Sequence, residues 1–491
     1  MKKSSNSFIV FSFVLFISCD QQQTNANNQT THTLALIGDK IITVNDFIKR
    51  CEYVPRPVYC KGNSYIHKKI ALNSLIAEKL LSLEFDKKNF SITKNQSLII
   101  QGHKEQAMRH LMLKKFGYEK VKIDNDEIDY LTKLSKRKYD ISYITIDKKY
   151  EDLIDGLPNN TSLLGLTKEL NISNNIVKRF ISKDDDMISM VQQILFTDNP
   201  DIDKVYGPFK VDKNKMLLFS IDGWTINPDI TIKQKQDSWQ KIENQYIEKK
   251  AKELYSRYVS QIMKGKTINY DLNKFDEFSD KLARIYLIEK EKKEAAIENK
   301  IWEIEEKNKV VSFNEVKQIE NDFLFTHDGK DYTVLELLQL IKKHPLVFRR
   351  KNTNPELFKN ELKYAIADLL RDMHITIRAY DLGLDKNINI INSKEKWEDH
   401  IKSTVMRKKF ISILDTNNSE MGILNQNIDS LQSYYSHVIK IDTDKFEKID
   451  LTRIDMNVMY SNQPYSKLEP DFPILTNDHV LDYGEKIIFN D

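Results

Sequence analysis

Glycine is scarce in this chain, at 13 of 491 residues. Loops that cradle phosphate need several glycines close together, and the sequence holds neither a P-loop nor a dinucleotide fingerprint. No cofactor is expected. Cysteine is scarcer still, at three. The pair Cys51 and Cys60 has the wrong spacing for zinc and no second Cys or His pair nearby, so no metal is expected. Neither sign of charge dominates: the formal net charge is +3, which gives no pull toward nucleic acid. Long hydrophobic runs are missing too. The run from Phe8 to Ile17 covers ten residues, short of the about 20 that a membrane-spanning helix needs.

What is present starts with that run. Lys2 and Lys3 precede it, and its length suits the apolar region of a signal peptide. Its end, Phe16-Ile17-Ser18-Cys19, resembles the bacterial lipobox, with Phe16 in place of the usual Leu. That resemblance implies cleavage before Cys19 and acylation of its thiol and new amino terminus. Two or three acyl chains anchor stably where one does not. Residues 20–32 are rich in Gln, Asn and Thr without apolar periodicity and read as a flexible leash.

A chain of this length exceeds one core. Its 30% charged and 40% hydrophobic residues suit a soluble, mostly helical protein. Residues 34–47 read as strand, Gly-Asp turn, strand and helix start, with Thr43 as cap and Asp46 as its acidic partner. In an oxidising compartment Cys51 and Cys60 are expected to form a disulfide worth roughly 2–3 kcal/mol. A helix follows through Ile70–Phe85 with a broad apolar stripe, then another ending at Gly117. Asp124 and Glu127 mark a further helix start, and residues 139–147 alternate as a strand. Residues 205–224 read as a hairpin, and 231–309 as long helices including a Trp239–Ile262 stripe read as core.

An internal echo then emerges. "GDKIITVNDFIKR" is answered by "DGKDYTVLELLQLI", and "MLKKF" by "MRKKF", at a spacing near 290 residues. One helical module used twice is expected, near 34–120 and 324–412. The resulting division is a signal peptide over 1–18, a tether over 19–33 and a helical module over 34–138. A sheet-containing module over 139–225, long helices over 226–320, a second helical module over 321–415 and a strand-rich tail over 416–491 complete it.

The order of "LALIGDKIITVNDF", "LIAEKLL", "VKIDNDEIDYL", "YDISYIT" and "YGPFKVDKNKMLLFSIDGW" resembles the SurA/PrsA-type parvulin group of exported folding factors. The resemblance spans residues 34–265, and the echo extends its helical part to about 412. It implies an α+β, mainly helical, multidomain fold with helical chaperone modules around a parvulin-like module. Isomerases of the group carry His in the first and last strands, an Asp or Cys between them, and a Gly-Gly turn. Here those strands offer Tyr143 and Met216 (or Leu217), and residues 139–224 contain no His or Cys. Asp184, Asp185 and Asp186 read as a solvated loop, and His103 and His110 as two surface histidines.

No catalytic residue is therefore expected. The resemblance implies a lipid-anchored chaperone on the periplasmic side of a bacterial membrane, whose partners are unfolded secreted or outer-membrane proteins. The alternatives are an active peptidyl-prolyl cis-trans isomerase, with Tyr143 replacing the first ring, and a structural lipoprotein of an envelope assembly complex.

Overall fold

The computed structural model describes residues 33–299 and 316–487, except 157, 159–160, 173–174, 199, 351–354, 413–418 and 453–455. The leader, Cys19 and the tether lie outside the described residues. The fold is α+β and mainly helical, with small sheets. It divides into two compact units: one spans Leu113–Arg257, and the other joins the chain up to Met112 to the chain from Tyr258 onward. No helix among the described residues is long and apolar enough to cross a membrane.

The first module opens with strands β1 (Thr33–Ile37) and β2 (Lys40–Thr43), paired antiparallel. Their two-residue turn places Gly38 at φ +61°, a left-handed conformation that glycine adopts without strain. Helix α1 (Val44–Glu52) starts on a reciprocal capping box: the Asp46 amide donates to Thr43 Oγ1 at 3.0 Å and the Thr43 amide to the Asp46 carboxylate at 3.3 Å. Helices α2 (Tyr65–Lys87) and α3 (Lys94–Phe116) follow. The sequence suggested one apolar stripe on α2, yet Ile70 through Ser82 are all buried, polar residues included.

The Leu113–Arg257 unit holds α4 (Asn125–Ser135), β3 (Arg137–Asp147), α5 (Glu151–Asp155), α6 (Leu163–Glu169), β4 (Val177–Ile181), α7 (Ser189–Phe196), β5 (Val205–Lys210), β6 (Lys215–Ile226) and most of α8 (Ile232–Met263). Asp124 caps α4 by accepting from the amides of Asp126 and Glu127 at 3.1 Å. The strands form an antiparallel sheet in the order β4-β3-β6-β5. Alternation along β3 sends Tyr139 and Ile141 to one face, against Val191, Leu195 and Phe196 of α7. Ile144 and Ile146 go to the other, against Leu163 and Leu166 of α6. Ile242 and Tyr246 of α8 pack on Ile128 of α4, so the stripe read as core is core in this stretch. Gly117 follows the last residue of α3, and a Cβ there would press into the carbonyl oxygens of Leu113 and Ala251.

The second module opens with β7 (Ile268–Tyr270) and α9 (Leu272–Asn299), then β8 (Phe323–His327), β9 (Lys330–Thr333), α10 (Val334–Lys343), α11 (Pro355–Asp381) and α12 (Ile388–Ile411). Four of its elements begin 290 residues after their counterparts (323 − 33, 330 − 40, 334 − 44, 355 − 65). The capping box recurs: the Glu336 amide donates to Thr333 Oγ1, and the Thr333 amide to the Glu336 carboxylate. Here both turn residues, Asp328 and Gly329, have positive φ. The core gathers Phe275, Phe278, Phe325, Phe358, Leu362 and Ile366.

The tail differs from the strand-rich piece expected over 416–491. It holds α13 (Glu420–Tyr434), the short strand β10 (Ile439–Ile441), α14 (Thr443–Glu447), a long irregular segment and the two-residue β11 (Glu485–Lys486). It is not separate either. β10 pairs with β1 in a sheet of order β11-β10-β1-β2, and Ile439, Ile441, Phe446, Ile449, Leu451 and Phe472 fill the first module's core. That coverage buries α2 on every side.

Candidate functional site

The expected isomerase position is the sheet of the Leu113–Arg257 unit. Tyr143 lies on β3 directly opposite Phe219 of β6. It joins a face of Tyr139, Ile141, Phe219 and Ile221, with Leu217 and the α7 side chains packed on it. Met216 points to the opposite face, among Ile144, Ile146 and Leu218. The structure therefore does not bring Tyr143 and Met216 together: successive residues of a strand alternate faces, and the pair has opposite parity in register. Leu217 is the residue that shares Tyr143's side. Twisting an amide over its barrier of about 18–20 kcal/mol calls for a preorganised polar cluster. This face supplies packed hydrocarbon and rings. The stretch 113–257 contains no His and no Cys at all. The Asp184 carboxylate is exposed and meets Lys241 at 2.8 Å, as a solvated loop would.

Cys51 and Cys60 are not joined in the expected disulfide; both are buried as thiols. Cys60 Sγ faces the Pro57 carbonyl at 3.6 Å, and Cys51 lies in the first module's core. Burial pushes the Cys51 thiol up to about 12, so it is protonated and inert at neutral pH.

Of the two histidines expected at the surface, His103 is buried and His110 is half-buried. His103 is sandwiched between Trp397, stacked at 3.5 Å between centroids, and Tyr465 at 3.9 Å. Burial, then the nearby His400, pushes its pKa down to about 3. His110 packs on Tyr460, and burial followed by Arg109 lowers it to about 4. Both rings are neutral packing groups. Among the described residues, no three His, Cys, Asp or Glu are placed to hold a metal ion.

Sequence reasoning missed a seam of buried charge between α2, α12 and the tail. Arg50 and Glu78 form a bidentate pair at 2.9–3.0 Å, and His400 Nδ1 lies 3.1 Å from the same carboxylate. Burial alone would raise Glu78; Arg50 and His400 outweigh it and hold the carboxyl at about 2. Asp399 accepts from Lys40, Lys79 and Ser82 at 2.6–2.7 Å. Lys396 bridges Asp46 and Glu469. The "DFIKR" and "AEKLL" stretches carry these charges, but nothing local in them predicts their partners some 300 residues away.

A cavity of about 100 Å³ lies between α3, α10 and α11. Leu340, Leu369, Met373 and Ile377 form its apolar walls, with Arg109, His344, Thr376 and Tyr380 beside them. Most of the polar groups pair with one another, while His344 Nδ1 is buried without a hydrogen-bond partner. Arg109 donates to Thr376 Oγ1 at 3.0 Å, His344 Nε2 meets Asp372 at 3.0 Å, and Lys343 pairs with Glu105 at 3.1 Å. Against the opposing effect of burial, the His344 hydrogen bond and Arg109 hold the Asp372 carboxyl at about 2. The cavity has room for a side chain or a few waters. Beside it, Gly102 lets α3 approach the end of α10 and the tail: a Cβ there would collide with the Lys343 carbonyl and the Tyr465 ring. Tyr465 donates its hydroxyl to that carbonyl at 2.8 Å and exchanges hydrogen bonds with the Gln106 side chain. A shallower groove of about 390 Å³ is lined by Tyr258, Gln261, His374 and Arg378. There His374 Nε2 meets His327 Nε2 at 2.8 Å.

No protein-family model matches the chain, and no curated protein matches it either. The functional reading therefore rests on the residues themselves.

Proposed function

We propose that this protein is a lipid-anchored chaperone on the periplasmic side of a bacterial membrane, holding unfolded secreted or outer-membrane chains. In this reading its parvulin-like unit grips without isomerising. The carrying observation is the face around Tyr143: a sheet-and-helix unit stands where an isomerase is expected, and packed apolar side chains fill the place of its polar cluster. The duplicated hairpin–helix modules add a second support, since paired helical modules can offer extended, weakly apolar surfaces to many sequences. Apolar burial at about 25 cal/mol per Å² supplies the attraction, offset by ordering of the client. The lipid on Cys19 would keep that surface where exported chains emerge.

The test pairs two assays on the same preparation. Equimolar protein is expected to suppress aggregation of an unfolded outer-membrane barrel protein, and to leave the cis-trans relaxation of an X-Pro peptide at its spontaneous rate. A rate gain that disappears in Tyr143→Phe would establish the isomerase instead.

A further inference from the structure

The two modules share an element order, but among the described residues only the first has its main helix covered on every side. On α2, Asn73 Nδ2 donates to the backbone carbonyls of Asp478 and Val480, both at 2.9 Å, and Ser74 Oγ to that of Thr476 at 3.3 Å. Arg50 of α1 reaches the Asp471 carbonyl at 2.7 Å. Between these anchors Phe472 and Leu475 sink into the core. The first copy thus holds an extended stretch of the chain's own tail by its backbone, with apolar side chains inserted.

The same positions of α11, 290 residues on, are Lys363 and Tyr364 (73 + 290, 74 + 290). Ser74 is 0% exposed and Tyr364 is 50% exposed. One turn further lie Ala367, Asp368 and Arg371, all partly exposed. Arg349 stands 4.8 Å from the Tyr364 ring and pairs with Asp368 at 2.9–3.0 Å, as Arg371 does at 2.7 Å. Arg371 also donates to Asp372 at 2.7–3.0 Å, so Lys363, Arg349 and Arg371 stand against two carboxylates and the strip keeps one net positive charge. Residues 471–482, which cover the equivalent face of α2, read DFPILTNDHVLD: three aspartates among Phe, Ile, Leu and Val. The chain displays the kind of ligand that such a face takes.

We propose that the open face of α11 is a docking site for an extended, apolar and acidic peptide segment of a client chain, held as α2 holds residues 471–480. The proposal rests on the client-binding reading above and names the peptide chemistry that reading would select. Donors from Lys363, Tyr364 and Arg371 take the place of Asn73 and Ser74 toward the peptide carbonyls and aspartates. The aromatic ring and the Ala367 methyl receive the apolar side chains.

The experiment titrates the full chain into a fluorescein-labelled peptide of residues 469–484, followed by anisotropy, beside the aggregation assay. Saturable one-to-one binding is expected, weakening as salt rises, with a loss of about tenfold or more in Tyr364→Glu and in Arg371→Glu. Both positions are partly exposed, and unchanged thermal melts would show the variants folded; Lys363→Glu serves if either melts early. Absence of saturable binding overturns the proposal. So does binding that ignores both α11 substitutions and strengthens in Phe472→Ala, which would mark exchange with the tail on α2. Concentration-dependent dimers abolished by Arg371→Glu would assign the face to a second copy and overturn it too. Wild-type protein that suppresses aggregation but ignores the peptide overturns this site alone; failure in both assays removes the underlying reading as well.

Discussion

The two hairpin–helix modules begin alike and end differently. Both run strand, two-residue turn, strand, capping box, short helix, long helix. In the first, the long helix is buried on every side from Ile70 to Ser82, with Arg50 paired to Glu78 and Lys79 to Asp399. In the second, the position of Glu78 is held by Asp368 (78 + 290), whose arginine partners lie partly in solvent. One duplicated scaffold thus carries the same helix once as interior and once as surface. What decides between them is whether another segment returns to cover it. Burial makes the ionic contacts of the first module obligatory, whereas those of the second are optional.

The largest expected effect separates the modules on this ground. Glu78→Ala leaves Arg50 buried without its carboxylate and should cost about 3–5 kcal/mol, seen as a lower urea midpoint. Asp368→Ala removes the matching carboxylate at a screened site and should cost under about 1 kcal/mol. Equal losses would break the comparison. Phe472→Ala should cost about 3–5 kcal/mol and release amide-exchange protection in β1 and α2 while sparing α11.

Acid should divide the modules next. His103 and His110 stay neutral in the folded chain, down to about 3 and about 4. Unfolded histidine takes a proton below about 6.5, so acidification from there toward 4 favours unfolding, with a slope of up to about 1.4 kcal/mol per pH unit for each ring. Glu78 adds its loss only as pH falls from about 4.5 toward 2. In the second module the depressed Asp372 is unaffected until pH falls below about 3.8, and one histidine, His374, is lowered, by burial first and then by Lys266, against two in the first. Hydrogen exchange at pH 7 and pH 5 should therefore show the tail and α3 loosening first.

The smallest effect should be the same in both copies. Thr43→Ala and Thr333→Ala each remove one half of a capping box and should cost about 1 kcal/mol, measured by denaturant melts. A large disparity between them would show that the caps are not equivalent.

Local features were legible in the sequence. The Thr43–Asp46 box, the Asp124 cap, the β3 alternation and the near-290 echo all arise from residues within a few positions of one another, or from their repetition. The opposite placement of Tyr143 and Met216 needed the β3–β6 register, which one strand cannot reveal. The tail was misread because Ile439, Ile441 and Phe472 look like parts of an independent sheet until β1 is seen beside β10. His103 looked like a surface residue because its neighbours in the chain are polar; Trp397, which covers it, comes 294 residues later (397 − 103). The charge seam and the cavity were invisible for the same reason: their walls come from distant helices.

The pairing of β1 with β10 has a consequence for biogenesis. A chain made amino end first releases Leu34, Ala35 and Ile37 early, yet the strand that shields them follows only at Ile439–Ile441. The earliest segment to emerge is thereby the last to mature, and closing so long a loop is slow. Through that interval the nascent protein exposes an unpaired strand edge of its own.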